Sequence, residues 1–225
     1  MLTVMTNDRA APWLWRLANG ALLLAVGGVA VLAAALALGA ADPPRAGPLL
    51  WQDDFKAGLE RWTLAAGQLS AEHGALEASL AAEADGTALA LTSAPDGSFT
   101  LEVAGAAVEG LAAYGLVFGW QDDAHYSAVL VNGNGYAEAY TQAGPRRTTW
   151  LAWQQWPHIL YGAESNRVRV DVRAEAAGTA VTARVNNEVL AATTLAGSAG
   201  QVGVLARGPG PARVVFSWVR LWGAD

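Results

Sequence analysis

Two patterns of hydrophobic and polar positions divide the chain. From Leu17 to Ala41 the residues are almost uniformly apolar, with Asn19 the one strongly polar side chain and no charge between Gly20 and Leu38. At 1.5 Å per residue such a run forms a helix of about 30 Å, the hydrocarbon thickness of a bilayer. From Leu50 onward the pattern becomes short runs bounded by Gly, Asn, Asp and Pro, the spacing of strands joined by tight turns.

The centre of this second region is Tyr114 to Tyr140, YGLVFGWQDDAHYSAVLVNGNGYAEAY. Tyr114–Gln121 and His125–Val131 are predicted strands with a turn at Asp122-Asp123. Asn132-Gly133-Asn134-Gly135 then predicts a hairpin with a type I′ turn, because Asn and Gly tolerate the positive φ it needs. The cleanest alternation is RVRVDVR from Arg167 to Arg173. It puts Val168, Val170 and Val172 on a core face and Arg167, Arg169, Asp171 and Arg173 on a solvated one. Further strands are expected at Leu50–Phe55, Gln68–Ala71 and Ala75–Ala81 about a His73-Gly74 turn, Thr87–Thr92, Phe99–Val108 and Arg146–Trp156. Thr179–Val185 and Val189–Thr193 flank Asn186-Asn187, and Gln201–Arg207 and Ala212–Trp222 follow. The segment from Phe55 to Trp62 reads as a loop. Ala212–Trp222 is apolar on both faces, which marks it as a central strand. With no amphipathic helix after residue 41, the chain is predicted to be mainly β. The expected form is a jelly-roll β-sandwich preceded by one transmembrane helix.

Composition sharpens this division. The 225 residues are 53% hydrophobic and 15% charged, more apolar than an ordinary soluble domain. Arg9 and Arg16 precede the apolar run, while Asp42, Asp53 and Asp54 accompany Arg45 after it. The positive-inside rule therefore predicts residues 1–16 in the cytoplasm, 17–41 as a signal-anchor helix in the lipid bilayer and the remainder extracytoplasmic. Trp13 and Trp15 fit an interfacial belt. Gly39-Ala40-Ala41 supplies the small residues of a competing reading, a cleaved signal peptide. Residues 42–48, with Pro43, Pro44 and Pro48, read as a short stiff linker, and 49–225 as the outer domain. A net charge of −6 argues against a nucleic-acid partner. The absence of Cys excludes disulfides and thiolate metal sites.

In order along the chain, LWQDDF, YGLVFGWQDDAHYSAVL, NGNGY, SNRVRVDV, AVTARVNNEVL and GQVGVLAR resemble the concanavalin A-like lectin/glucanase superfamily. The nearest branch is the bacterial extracytoplasmic domains similar to family 16 glycoside hydrolases or laminin G domains. The resemblance runs from Leu50 to Gly223 and implies two antiparallel sheets with a concave face that commonly binds carbohydrate. Retaining family 16 enzymes carry Glu-x-Asp-x-x-Glu on one strand, with two carboxylates about 5 Å apart. That motif is absent, so the domain is expected to be non-catalytic. Members often hold calcium through Asp and backbone carbonyl oxygens. Asp53, Asp54, Asp122 and Asp123 are the candidate ligands, without the spacing of a calcium loop, and no other cofactor is expected. Adjacent carboxylates in extended chain point to opposite faces, so Asp122 and Asp123 fit a turn better.

The densest aromatic group is Trp150, Trp153 and Trp156 with Tyr136 and Tyr140. Period-two alternation sets Trp150 and Trp156 on one face and Trp153 on the other. Trp153 is assigned to the core. Trp150, Trp156, Tyr136 and Tyr140 form the candidate binding surface, with Glu138, Gln154, Gln155 and Asn134 supplying polar groups for sugar hydroxyls. Three functions follow. The first is binding of a glycan. The second is an accessory structural subunit capping a membrane-protein complex, its helix packed through Gly20, Gly27 and Gly28. The third, resting on the superfamily alone, is a hydrolase acting on a sugar. His73, His125 and His158 read as turn or rim residues.

Overall fold

The computed structural model describes residues 12–37 and 42–223. Expectations for residues 1–11, including Arg9, and for the small residues at 39–41 lie outside the described residues, as does the side chain of Trp13. Helix α1 spans Pro12–Ala37. Proline suits its first turn, where the missing N–H would have no partner in the helix. Trp15–Ala35 has a mean hydropathy of 2.1 and exposed side chains, long and apolar enough to cross a membrane.

Fifteen strands follow: β1 (Leu49–Asp53), β2 (Trp62–Ala66), β3 (Gln68–Glu72), β4 (Ala75–Leu80), β5 (Asp85–Ser93), β6 (Phe99–Glu109), β7 (Ala113–Asp122), β8 (His125–Asn132), β9 (Tyr136–Ala143), β10 (Arg146–Gln155), β11 (Asn166–Glu175), β12 (Gly178–Val185), β13 (Glu188–Leu195), β14 (Gln201–Arg207) and β15 (Ala212–Gly223). They form two sheets. The back sheet runs β13-β12-β11-β6-β15-β4-β3, with β1 also on β15, and the front sheet runs β10-β9-β8-β7-β14-β5-β2. Neighbours pair antiparallel throughout, and β15 is internal as expected. The sheets enclose one core. Leu101, Val103, Val168, Val170, Phe216 and Val219 from the back meet Leu116, Phe118, Val129, Val131 and Val204 from the front. Edge-on ring pairs, Phe99 with Phe118 and Tyr114 with Phe216, lock the two layers. This is the expected jelly-roll β-sandwich.

Turns carry the sequence signals with one change of type. His73 and Gly74 (φ 53° and 73°) and Asn186 and Asn187 (50° and 76°) each hold two positive φ angles, so both are I′ turns. At the expected I′ site after β8, only Gly135 has positive φ, at 82°. The chain makes a type I turn through Gly133-Asn134, closed by Gly135 N–H donating to Asn132 O at 3.1 Å. Gly135 then takes the left-handed position that such a three-residue loop needs. Asn132 Oδ1 stabilises this choice by accepting from the Asn134 and Tyr136 N–H groups, both at 3.0 Å.

Four other expectations need correction. The expected loop from Phe55 ends at Trp62 in an unforeseen strand, β2, which was hidden because it lies at the sheet edge and buries only Trp62. In β15 the register shifts between Phe216 and Trp218. The bulge reverses the alternation, so Val219 and Leu221 continue the core face begun by Val214 and Phe216. The polar face of β11 is solvated only towards its ends, where Arg173 is exposed and Arg167 half-buried: in the middle Arg169 is 1% exposed and Asp171 9%. Its cover is the supposed linker. Pro44 O accepts from Arg169 Nη2 at 2.6 Å, Ala46 N–H donates to Thr100 Oγ1 at 3.1 Å, and Arg45 reaches both Glu102 and the Trp222 ring. Residues 44–48 thus form a strap on the outer surface of the back sheet.

Candidate functional site

The outer surface of the front sheet is built by side chains left over from the core alternation. Because Val129, Val131, Ala137, Ala139, Val204 and Ala206 point inward, Leu130, Asn132, Glu138, Tyr140, Leu205 and Arg207 point outward. They make a second apolar layer of Leu89, Val117, Trp120, Tyr126, Leu130, Tyr140 and Leu205. At one end of this surface, strand register aligns four residues in a row. Asp85 pairs with Arg207, Arg207 with Ala113, and Ala113 with Asn132. The single methyl of Ala113 between long polar neighbours leaves a depression.

A cavity of about 620 Å³ opens there. Its walls include Glu83, Asp85, Asn132, Glu138, Arg147, Trp153 and Arg207, with Leu111 and Pro209 on the rim. Arg207 makes a two-pronged ion pair with Asp85, Nε to Oδ1 at 2.8 Å and Nη2 to Oδ2 at 2.7 Å. The Asp85 carboxylate raises the guanidinium pKa above its ordinary value. Arg207 Nη1 also lies 3.4 Å from Tyr140 Oη. The Arg147 guanidinium sits 3.9 Å from the centre of the same Tyr140 ring and 4.0 Å from Glu138. Burial, with Tyr126 beside it, pushes the Tyr140 phenol well above its ordinary pKa. Two guanidinium groups, each with a carboxylate partner, thus line the cavity, and the neutral Tyr140 lies buried beneath them.

Trp153 stands at the wall, 44% exposed, nearly parallel to Tyr136 with ring centres 6.1 Å apart. Tyr136 is itself exposed, and Tyr161 follows from the adjoining loop, its hydroxyl accepting from Gln155 Nε2 at 3.0 Å. This reverses the assignment of the tryptophans. Trp150 and Trp156 pack against the core; Trp150 meets Phe118 edge-on and donates to Thr141 Oγ1 at 3.0 Å. The cause is a pair of register shifts in β10, between Thr149 and Leu151 and between Leu151 and Gln154. They turn Trp150 and Leu151 both inward and bring Trp153 opposite Glu138. Tyr140 shares the face of Tyr136 and Glu138 as expected, but it is fully buried in the second apolar layer and does not line the cavity. Gln154 is exposed beside Ala137, outside the cavity lining.

The four metal candidates do not converge. Asp53 accepts from Phe55 N–H at 2.8 Å and Trp62 Nε1 at 3.0 Å, and Asp54 pairs with Lys56. Asp122 accepts from Ala124 N–H and from His125, both at 2.8 Å, and these bonds lower its pKa. Asp122 and Asp123 thus lie at the β7–β8 turn, on the other sheet from Asp53 and Asp54. Among the described residues no group of three or more His, Asp or Glu is arranged to hold a metal ion.

Sequence reasoning missed Asp85, Arg147, Arg207, Glu83 and the outward Trp153. One local signal was present. Glu83-Ala84-Asp85-Gly86-Thr87-Ala88 keeps the first two carboxylates of Glu-x-Asp-x-x-Glu, both on the cavity wall, and puts Ala88, buried in the core, at the third position.

No protein-family model and no curated relative matches the chain. Solved structures do, and they show the fold. The carbohydrate binding module CBM66 from Bacillus subtilis aligns with a TM-score of 0.59 at 16% identity, covering 73% of this chain and 97% of that one. The potassium-bound carbohydrate recognition domain of Emp46p gives 0.56 at 15%, covering 80% and 97%. The Crh5 transglycosylase in complex with NAG gives 0.54 at 15%, covering 82% and 89%. Residues 49–223 therefore have the galectin-like, concanavalin A-like β-sandwich fold, which in these neighbours carries both binding modules and an enzyme.

Proposed function

We propose that this protein is a membrane-tethered, extracytoplasmic glycan-binding module without catalytic activity. The observation that carries the reading is the cavity itself. An exposed indole face stands beside paired guanidinium and carboxylate groups in one cavity. A sugar ring presents C–H groups to an aromatic face and hydroxyls around its edge. Arg207 with Asp85, and Arg147 with Glu138, offer donor and acceptor side by side for adjacent hydroxyls. Fold similarity to a carbohydrate binding module and a carbohydrate recognition domain supports the same reading by analogy.

Two features favour binding over hydrolysis. A retaining glycosidase needs a second carboxylic acid opposite its nucleophile, and the third position of the partial signature is Ala88, inside the core. Asp85 has both oxygens committed to Arg207. The tether is supported by the length and hydropathy of α1, and its orientation by Arg9 and Arg16 on the amino-terminal side. The direct test is retention of the detergent-solubilised full-length protein on immobilised polysaccharides, compared with Trp153→Ala. Selective retention that the variant loses supports the reading. Reproducible release of reducing sugar from any retained polysaccharide would overturn the non-catalytic part.

A further inference from the structure

The cavity lining is not neutral. Glu83, Asp85 and Glu138 face Arg147 and Arg207. Arg207 is matched by Asp85 at 2.7 Å and Arg147 has Glu138 at 4.0 Å. Glu83 is the carboxylate left over: among the described residues it has no ion pair or side-chain hydrogen bond. Its backbone is also unusual, with φ at 57°, a left-handed conformation uncommon for a residue with a Cβ. The tight turn that closes with Ala84 N–H on Ala81 O holds it there, immediately before Asp85 on the cavity wall. Such strain concentrates at ligand-contacting positions.

Resting on the glycan-binding reading above, we infer that the cavity selects uncharged glycans and rejects acidic ones, with Glu83 as the residue that sets this discrimination. An acidic sugar would need a free cation, and both guanidinium groups already have carboxylate partners. To bind a uronate, Arg147 would have to leave Glu138 or Arg207 leave Asp85, exposing a second unpaired carboxylate in the same cavity. A neutral sugar needs neither, because each ion pair presents donors and acceptors to hydroxyls without being broken. A ligand carboxylate about 5 Å from Glu83 loses roughly tenfold in affinity through like-charge repulsion at low ionic strength. The loss shrinks as salt screens the pair.

The test uses the full-length protein in detergent and two forms of one oligosaccharide: the tightest neutral binder from the polysaccharide panel, and the same oligosaccharide with its primary hydroxyls oxidised to carboxylates. The wild-type protein is expected to bind the oxidised form five- to twentyfold more weakly in low salt, and less than threefold more weakly at 0.5 M salt. Glu83→Gln keeps size and shape, and should close most of the low-salt gap, read as the ratio of the two affinities. Equal or tighter binding of the oxidised form by the wild type overturns the inference while leaving glycan binding in place. So does a gap that Glu83→Gln does not change. Failure to bind either form, with Trp153→Ala indistinguishable from wild type, overturns both.

Discussion

Asp171 joins the strap to the sandwich, and its removal should expose how much the back sheet depends on that junction. Its Oδ1 accepts from Arg169 Nε at 2.8 Å, Arg169 Nη2 at 2.6 Å and Thr100 Oγ1 at 2.9 Å, and its Oδ2 from Arg184 Nε at 2.9 Å. Arg169 is almost wholly buried, and Asp171→Ala removes the carboxylate oxygen to which its Nε and Nη2 donate. Breaking a buried pair from one side costs about 3–5 kcal/mol. For a domain of this size each kcal/mol is worth about 2–4 °C in Tm, so thermal unfolding should fall by roughly 6–20 °C. Asp171→Asn, which keeps one acceptor, should lie between the variant and wild type. The double variant Asp171→Ala with Arg169→Met should recover part of the loss, since an apolar replacement of similar volume removes the buried charge whose main acceptor is gone. Circular dichroism melts of the full-length protein in detergent read all four. A loss below about 1 kcal/mol for Asp171→Ala, or a double variant no better than the single one, would refute the reasoning.

Three further outcomes are expected. Trp153→Ala should weaken glycan binding by about a hundredfold with little change in Tm, because the exposed part of its indole, roughly 110 Å² of a side chain that buries up to about 250 Å², is worth about 2.5 kcal/mol when covered. Trp150→Ala should do the reverse and cost about 3–5 kcal/mol of stability; calorimetric titration beside melting curves separates the two. Burial raises the pKa of both Tyr114 and Tyr140, so the folded state keeps protons that the unfolded chain releases. Stability should be flat below about pH 10 and fall above it, by about 1.4 kcal/mol per pH unit for each tyrosine. Tyr140→Phe should reduce that slope in urea titrations at pH 9 to 12. Chelation with EDTA should leave both Tm and glycan retention unchanged, because Asp53 and Asp122 stand on different sheets and no group of three or more candidate ligands converges among the described residues; a calcium-dependent rise in Tm would contradict this.

The strands were legible because their signals are local. RVRVDVR, the His73-Gly74 and Asn186-Asn187 turns and the doubly apolar β15 each carry their meaning within a few residues. Facing was legible too: Trp150 and Trp156 do part from Trp153. Which side faces the core was not, because the two shifts in β10 against β9 break the period-two rule that links a tryptophan to its neighbours. The arginine face of β11 shows the same limit from another cause. A run of alternating charges reads as solvated unless something covers it, and the cover comes from Pro44, 125 positions away in the chain. The cavity was least legible of all. Arg207 and Asp85 are 122 residues apart, and only the order β7-β14-β5 makes them neighbours.

The strap holds the outer surface of the back sheet, while the cavity opens on the outer surface of the front sheet. The chain therefore enters the domain on the side opposite its opening. Under the tethered, glycan-binding function proposed above, this sets a mechanical path. Tension between a captured polymer and the membrane would cross the inter-sheet core and leave through Pro44–Pro48. There it would meet a few separate attachments, Arg169 to Pro44, Arg45 to Glu102 and Ala46 to Thr100, loaded one after another. Those would let go before the continuous pairing of β15 with β6 and β4, and five freed residues would lengthen the leash by about 17 Å. The strap would then act as a fuse that yields slack while the binding surface stays intact.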